Sequence, residues 1–346
     1  MFRDISLTDL LIAQTNGEHT FVDVRSPREF NESTIPGSIN IPVFNDEERA
    51  EVGTLYKQVG AEEAKVRGLA IFSKKLPDFI ATFKNIETPI TVFCWRGGMR
   101  SKTAATVLDL MGIHAKRLYG GIRSYRQWVV HELEDKKFLP KLFVLNGFTG
   151  SGKTLILKKL HTKGYPVIDL EGIAGHRGSI FGQIGLEPSN QKKFDSLLLK
   201  EVSHYENEPF VFIEGESRRI GKVSLPEFLN DKKEKGKQLF INIPIEVRVQ
   251  NILDDYKPWE SSKPFKEAFQ LIKKRIHTPI ARQIESDLEN GDFASATKLL
   301  LEFYYDPKYK HASEQYTDEQ KIEIDAVDVQ DAYEKVIDTI GSLVKS

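Results

Sequence analysis

The chain has 346 residues, a formal net charge of −1 and 40% hydrophobic residues, a length that predicts two domains, each able to bury its own core. The balanced charge excludes a global basic field for nucleic acid, so any RNA contact has to come from local patches. No apolar run reaches the length of a bilayer span, and the charges in MFRDISLTDL fall where a signal peptide needs an apolar stretch; the expected location is the cytoplasm, with no membrane partner. Cys94 is the single cysteine, which excludes an intrachain disulfide and a cysteine zinc cluster.

In chain order, SLTDLLIAQ predicts a short helix and Thr20–Val24 a strand. Asp23-Val24-Arg25-Ser26-Pro27-Arg28-Glu29-Phe30 leaves that strand and starts a turn or helix. The stretch from Ile35 to Pro42, IPGSINIP, reads as a loop leading into another short strand. Residues 46–69 and 72–83 read as helical, and Pro89–Phe93 is an apolar strand. It runs into Cys94-Trp95-Arg96-Gly97-Gly98-Met99-Arg100-Ser101, after which SKTAATVLDLMG has helical spacing and stops at Gly112. Strands alternating with helices imply an α/β domain with a mostly parallel sheet.

Cys94 ends a buried strand and begins a loop that enters a helix. Successive loop amides, the helix dipole, Arg96 and Arg100 all favour a thiolate there, and Gly97 and Gly98 permit a tight loop. Such a cradle holds an anion beside a nucleophile. A lone cysteine is often a packed, inert thiol, but two glycines and two arginines follow this one within six residues. The Cys94-x₅-Arg100 spacing also fits a cysteine phosphatase, although Phe93 stands where histidine is common in such enzymes. Arg117–Ser124 (RLYGGIRS) reads as a closing strand and turn, and Trp128–Leu133 as helix. The charged, proline-terminated run from Glu134 to Pro140 sets the boundary near residue 135, giving domains 1–134 and 135–346.

The second domain opens on KLFVLNGFTGSGKT, Lys141–Thr154. It matches G-x-x-x-x-G-K-[ST] at every fixed position, with an apolar strand before and a helical run after. Loop amides freed by Gly147, Gly150 and Gly152, together with that of Ser151, can surround phosphate oxygens, and the helix N-terminus adds partial positive charge. Lys153 can reach an outer phosphate and the Thr154 hydroxyl can hold Mg²⁺. The motif implies a bound polyphosphate without saying which. Tyr165–Asp169 predicts a second strand, Gln191–Val202 a helix and Phe210–Ile213 a third strand. That third strand delivers Glu214 and Glu216, where a P-loop protein keeps a carboxylate for Mg²⁺. Gln238–Ile243 is a fourth strand, and from Pro244 onward the pattern is helical. His176, Arg177, Arg218 and Arg219 gather near the inferred phosphate face, as RNA or phosphate contacts or as solvated charge. Lys232–Lys237 and Lys273–Arg275 read mostly as solvated helix faces. Phe303, Tyr304, Tyr305 and Tyr309 read as core in preference to base-stacking groups.

DVRSPREF, IPGSINIP and the strand–cysteine–loop–helix resemble the rhodanese family, whose domains carry sulfur or a heavier chalcogen on the loop cysteine. Joined to GFTGSGKT, HRGSIFG, EGESRRIG and YYDPKY, the whole chain resembles the tRNA 2-selenouridine synthase family. The resemblance implies a rhodanese-like α/β domain followed by a P-loop NTPase-like α/β domain with a helical C-terminal extension. It implies a transferase that attaches geranyl from geranyl diphosphate to wobble 2-thiouridine in tRNA, then replaces the S-geranyl group with selenium from selenophosphate, the product of selenophosphate synthetase. Cys94 would serve the selenium step, with the Arg96–Arg100 loop holding the anionic donor. Gly147–Thr154 would bind the diphosphate with Mg²⁺, and Ile180, Phe181 and Ile184 are apolar candidates for the geranyl chain. Two other readings use the same motifs: a kinase or ATPase fused to a sulfurtransferase or redox-sensing rhodanese domain, and a non-enzymatic binding module.

Overall fold

The computed structural model describes residues 2–15, 17, 19–134, 136–313 and 315–345. The chain divides into two compact units, Met1–Leu133 with Asp195–Leu199, and Glu134–Phe194 with Lys200–Ser346.

The first unit runs β1 (Asp4–Ile5), α1 (Leu7–Thr15), β2 (Thr20–Asp23), α2 (Pro27–Glu32), β3 (Ile39–Asn40), α3 (Asp46–Gln58), α4 (Ala61–Lys84), β4 (Ile90–Phe93), α5 (Met99–Leu110), β5 (Ala115–Leu118) and α6 (Gly121–Glu134). Its five strands pair in the order β1-β5-β4-β2-β3, every pair parallel. All four residues of β4 are buried, as expected of an inner strand of a parallel sheet covered on both faces. The sequence pattern splits the long helical region near residue 70, but the chain breaks it at Val59–Gly60 and then runs α4 unbroken through Pro77. Packing decides this: Ala64, Gly68, Ile71, Phe72, Phe79, Ile80 and Phe83 form one buried face at helical spacing. α6 starts at Gly121, ahead of the expected Trp128, because Ile122, Tyr125, Val129 and Leu133 share a buried stripe.

The second unit runs β6 (Lys141–Gly147), α7 (Lys153–Thr162), β7 (Val167–Ile168), α8 (Leu170–Ala174), α9 (Gln191–His204), β8 (Phe210–Glu214), the hairpin β9 (Arg219–Ile220) and β10 (Val223–Ser224), α10 (Glu227–Lys235) and β11 (Lys237–Asn242). It continues through α11 (Ile245–Tyr256), α12 (Lys263–Ile272), α13 (Thr278–Asn290), α14 (Phe293–Leu300), α15 (Asp306–Ser313), β12 (Lys321–Asp325) and α16 (Val329–Lys345). Its five-stranded sheet has the order β12-β11-β6-β8-β7 and is parallel throughout. β12 corrects the expectation of helix throughout the C-terminal part. Lys321-Ile-Glu-Ile-Asp325 alternates charge with isoleucine, a period-two pattern suited to an edge strand. A separate core of α11 to α14 buries Phe265, Phe269, Ile272, Ile284 and Leu300. α14 passes into a π-helical turn, Leu301–Tyr305, before α15.

Candidate functional site

Cys94 lies at the carboxyl end of β4, 3% exposed, with its Sγ 3.2 Å from the Ser101 hydroxyl. The loop is held from behind by main chain. Ile122 N donates to Cys94 O at 2.9 Å and Arg123 N to Trp95 O at 3.0 Å. Gly121, at φ +61°, makes this approach possible, since a Cβ there would stand 2.3 Å from Cys94 O. α5 begins at Met99 with Gly98 as its N-cap, so the loop amides and the helix N-terminus converge beyond the thiol. Arg100 is paired with Glu29, both guanidinium nitrogens reaching that carboxylate, the second at 3.1 Å. Burial works to raise the Glu29 pKa, but Arg100, the Ser26 amide and Arg49 together hold it below the ordinary glutamate value. Arg96 is exposed. The DVRSPREF stretch explains itself here: Asp23 and Arg25 form a buried ion pair at 2.6 Å that also takes in the Thr34 hydroxyl, and Glu29 from the next helix reaches the cysteine loop's helix.

In the second unit β6 feeds the glycine loop and α7. Gly150 adopts φ +82°, and a Cβ there would lie 2.7 Å from the Arg248 carbonyl, so only glycine lets the loop turn this close to α11. Lys153 Nζ donates to Gly147 O at 2.9 Å, across the mouth of the loop. Ser151 is fully buried and its hydroxyl has no hydrogen-bond partner among the described residues. The loop is braced by side chains. Arg248 Nε donates to Thr149 O at 2.9 Å, and Asn251 Nδ2 to Gly150 O at 2.9 Å. Arg248, 4% exposed, is gripped in turn by both oxygens of Asp306, at 2.9 and 2.6 Å.

Around Thr154 lies a group of acids. The Thr154 hydroxyl donates to Glu171 Oε2 at 2.8 Å. Burial, then the charge of Glu216, raises the Glu171 pKa to about 7 against the pull of Lys153. Glu214 is fully buried; its Oε2 accepts from Leu170 N at 2.8 Å. Desolvation, then Asp169 and Glu171, push its carboxyl well above the ordinary range. Among the described residues there is no cluster of three or more His, Cys, Asp or Glu arranged as a metal cage. The donors do fit Mg²⁺ of the phosphate-bound kind, which takes one or two protein oxygens and completes its octahedron with phosphate and water: Thr154 Oγ1 and Glu171 Oε2 are adjacent, and a carboxyl whose pKa is raised by burial and then by Glu216 is one that a cation would ionise.

A rhodanese-like domain model matches residues 6–127, and the model described as tRNA 2-selenouridine synthase AAA domain matches residues 140–339. The tRNA 2-selenouridine synthase of Bdellovibrio bacteriovorus is 33% identical over 334 residues, covering 83% of this chain and 87% of that one. Its counterpart in Nitrosomonas europaea is 32% identical and covers 88% of this chain and 90% of its own. The chain belongs to the tRNA 2-selenouridine synthase family. The family's two domains are thus the mixed α/β units described above, and its P-loop and cysteine loop are the two strand ends already drawn.

The remaining expected residues separate into two groups. Arg177 is committed inside its own unit, to Asp255 at 2.8 Å, Ile184 O at 2.9 Å and the Tyr256 ring at 4.7 Å. His176 packs against Gly182 and Gly221 and accepts Gly178 N–H on Nδ1 at 3.1 Å; burial lowers its pKa. Arg218 and Arg219 are exposed beside the β9–β10 hairpin. Phe181 is core, stacked on Phe265, and Ile184 packs on the same cluster. Ile180 instead lines a pocket of about 620 Å³ with Gly147, Phe148, Glu216, Tyr305 and Tyr309. Tyr304 and Tyr305 are buried, while Phe303 is 50% exposed. Glu171, Arg248, Asn251 and Asp306 are site residues that the pattern did not single out. Asp306 carried a signal within YYDPKY; Arg248 and Asn251 sit in an ordinary amphipathic helix and carried none.

Proposed function

We propose that this protein is a tRNA 2-selenouridine synthase that works in two stages, S-geranylation of wobble 2-thiouridine followed by replacement of the S-geranyl group with selenium. The glycine loop Gly147–Thr154 binds the diphosphate of geranyl diphosphate. The observation that carries this assignment is the loop itself: Lys153 Nζ reaches across its mouth to Gly147 O at 2.9 Å, the Ser151 hydroxyl has no hydrogen-bond partner among the described residues, and a loop of this kind recognises a diphosphate whatever it is attached to. Lys153 and the loop amides stabilise the charge that develops on the departing diphosphate. Thr154 and Glu171 would hold Mg²⁺, which supplies further charge neutralisation on that leaving group. The thiouridine sulfur is the nucleophile, so this domain needs no cysteine. In the second stage Cys94 acts on selenium delivered as selenophosphate, the product of selenophosphate synthetase, and the Arg96–Arg100 loop with its converging amides holds the anionic donor.

The test is the mass of a 2-thiouridine-containing anticodon stem-loop incubated with Mg²⁺ and geranyl diphosphate, then with selenophosphate. The wild type adds geranyl and then yields selenouridine. Cys94→Ala stops at the geranyl adduct, and Lys153→Ala forms no adduct above about 1% of the wild-type rate. An RNA mass that never changes with the wild type sinks the assignment.

A further inference from the structure

A groove at the amino end of the second unit's sheet takes no part in either stage above. Its volume is about 610 Å³, and the buried Phe138 and Leu142 form its apolar side. Five lysines line it, Lys136, Lys141, Lys232, Lys235 and Lys237, against one acid, Asp231. The sequence pattern treats Lys232–Lys237 as a solvated helix face, and lysines in the last turn of α10 do complement its dipole. The fold adds what that pattern lacks. Lys141, the first residue of β6, and Lys136, just before that strand, come to the same groove.

The frame behind these lysines is fixed. The fully buried Gln238 side chain donates to Lys233 O at 2.8 Å and to Gly236 O at 3.1 Å, closing the end of α10. Lys141 N donates to Pro209 O at 3.1 Å, which holds the start of β6. On this frame most of the charge is unneutralised. Lys136 is paired with Glu206 at 2.7 Å. Lys232 Nζ donates to Leu139 O at 3.2 Å and Lys237 Nζ to Glu319 O at 2.6 Å, carbonyls that satisfy a donor and leave its charge in place. No carboxylate of a described residue lies within ion-pair distance of Lys141, Lys232, Lys235 or Lys237. Burial lowers the Lys232 pKa, so its charge sits there at a cost that a bound anion offsets. In a chain of net charge −1, the groove is a local positive field.

A lysine ammonium is a compact point charge on a flexible stem, without the fixed fork by which arginine grips one phosphate. Five lysines spread along a groove, with no arginine among the lining residues, suit successive phosphates of a backbone better than a single small anion. We propose that this groove binds the phosphate backbone of the RNA substrate, away from the base that is modified. β6 carries Lys141 at its first residue and Gly147 at its last, which sets the groove about 20 Å from the glycine loop along the strand. The contact adds affinity and orientation, carries no base information, and does not touch the chemistry. The inference rests on tRNA being the substrate, but on neither geranyl nor selenium transfer.

The test is binding of the full chain to unmodified, full-length tRNA, followed by fluorescence anisotropy across a salt series. One variant carries Lys141→Gln with Lys235→Gln. Its control carries Lys274→Gln with Arg275→Gln, an exposed pair outside the groove that changes the net charge equally. The groove pair is expected to weaken binding about tenfold and to lower the slope of log K against log salt by about 2. The control pair stays within about twofold of wild type, and both variants keep wild-type pyrophosphate affinity, which reports an intact glycine loop. On the wild type, which needs no substitution, acetylation of Lys141 and Lys235 by an amine reagent, read by peptide mass, slows when tRNA is added. A groove pair with wild-type affinity and slope overturns the groove and leaves the tRNA reading standing, as does acetylation that tRNA does not slow. Equal losses in the groove and control pairs also overturn it, since net charge alone would account for them. A wild type that binds no tRNA at low salt overturns this inference and the synthase reading together.

Discussion

The chain builds one local device twice, a parallel strand running through a glycine-bearing loop into a helix N-terminus, and braces it in two different ways. The Cys94 loop is held from behind by main chain: Ile122 N, Arg123 N and the bare Cα of Gly121. The Gly147–Thr154 loop is held by side chains, Arg248 on Thr149 O and Asn251 on Gly150 O, with Asp306 behind the arginine. The electrostatics also differ. Beside Cys94 the acid Glu29 is paired with the cation Arg100, whereas beside Thr154 the acids crowd one another and Lys153 is the opposing cation. A shared backbone geometry therefore leaves the chemistry open. What stands against the loop decides which chemistry it can serve.

Breaking the side-chain brace gives the largest expected effect on stability. Asp306→Ala leaves Arg248 charged and buried without its partner, which costs about 3–5 kcal/mol. Denaturant unfolding of the second unit, followed by hydrogen exchange on peptides spanning 141–162, measures the loss. The double change Arg248→Met with Asp306→Leu recovers most of that stability. It does not recover geranylation, because the Thr149 carbonyl has lost its donor. Recovery of full activity by the apolar pair would show that the brace only fills space.

The main-chain brace answers to a smaller insult. Gly121→Ala puts a Cβ against Cys94 O and Gly97 N at a φ that side chains avoid, for a cost of about 1–3 kcal/mol. The expected result is slower alkylation of Cys94 by iodoacetamide and slower selenation, with geranylation unchanged. Equal loss in both stages would contradict the independence of the two braces.

Acidification sharpens the comparison further, because the two carboxylates carry opposite signs. Glu29 has its folded pKa lowered, so its contribution is complete above the ordinary glutamate pKa and is lost as pH falls through the folded value. Glu171 has its folded pKa raised to about 7. Its contribution is complete below the ordinary glutamate pKa and is lost as pH rises through about 7. In EDTA, exchange protection of α5 should fall in acid, and that of α7 should fall as pH rises past neutrality. Glu29→Gln and Glu171→Gln should each flatten one profile and leave the other. The midpoint shifts by about 2–4 °C per kcal/mol lost, and Mg²⁺ with pyrophosphate should abolish the Glu171 limb.

Much of this was legible in the residues because the glycine loops are local. Gly147 to Thr154 needs only its neighbours to form a phosphate-type turn, and Cys94 needs only the strand before it and the helix after it. The strands with apolar runs, such as Ile90–Phe93 and Phe210–Glu214, were equally plain. β12 escaped because an exposed edge strand of alternating lysine, isoleucine and acid lacks the apolar run of an inner strand. α4 escaped a correct break point because its seven-residue buried face runs on through residue 70, from Ala64 to Phe83, and that face is set by what it packs against.

The sequence by itself determined the thiol at a strand end and the glycine loop, since each is written in a contiguous stretch whose backbone preferences suffice. The tertiary structure decided the partners. It set Glu171 on Thr154, Arg248 and Asp306 behind the loop, Glu29 on Arg100, Arg177 on Asp255, and Glu216 at the edge of an aromatic pocket. These are contacts between residues tens of positions apart, and no local pattern encodes them. Glu29 meets Arg100 only once the order β1-β5-β4-β2-β3 has formed, and the others exist only once the sheet order β12-β11-β6-β8-β7 brings the strand ends and the C-terminal helices of the second unit to one edge, where desolvation makes every unpaired charge count.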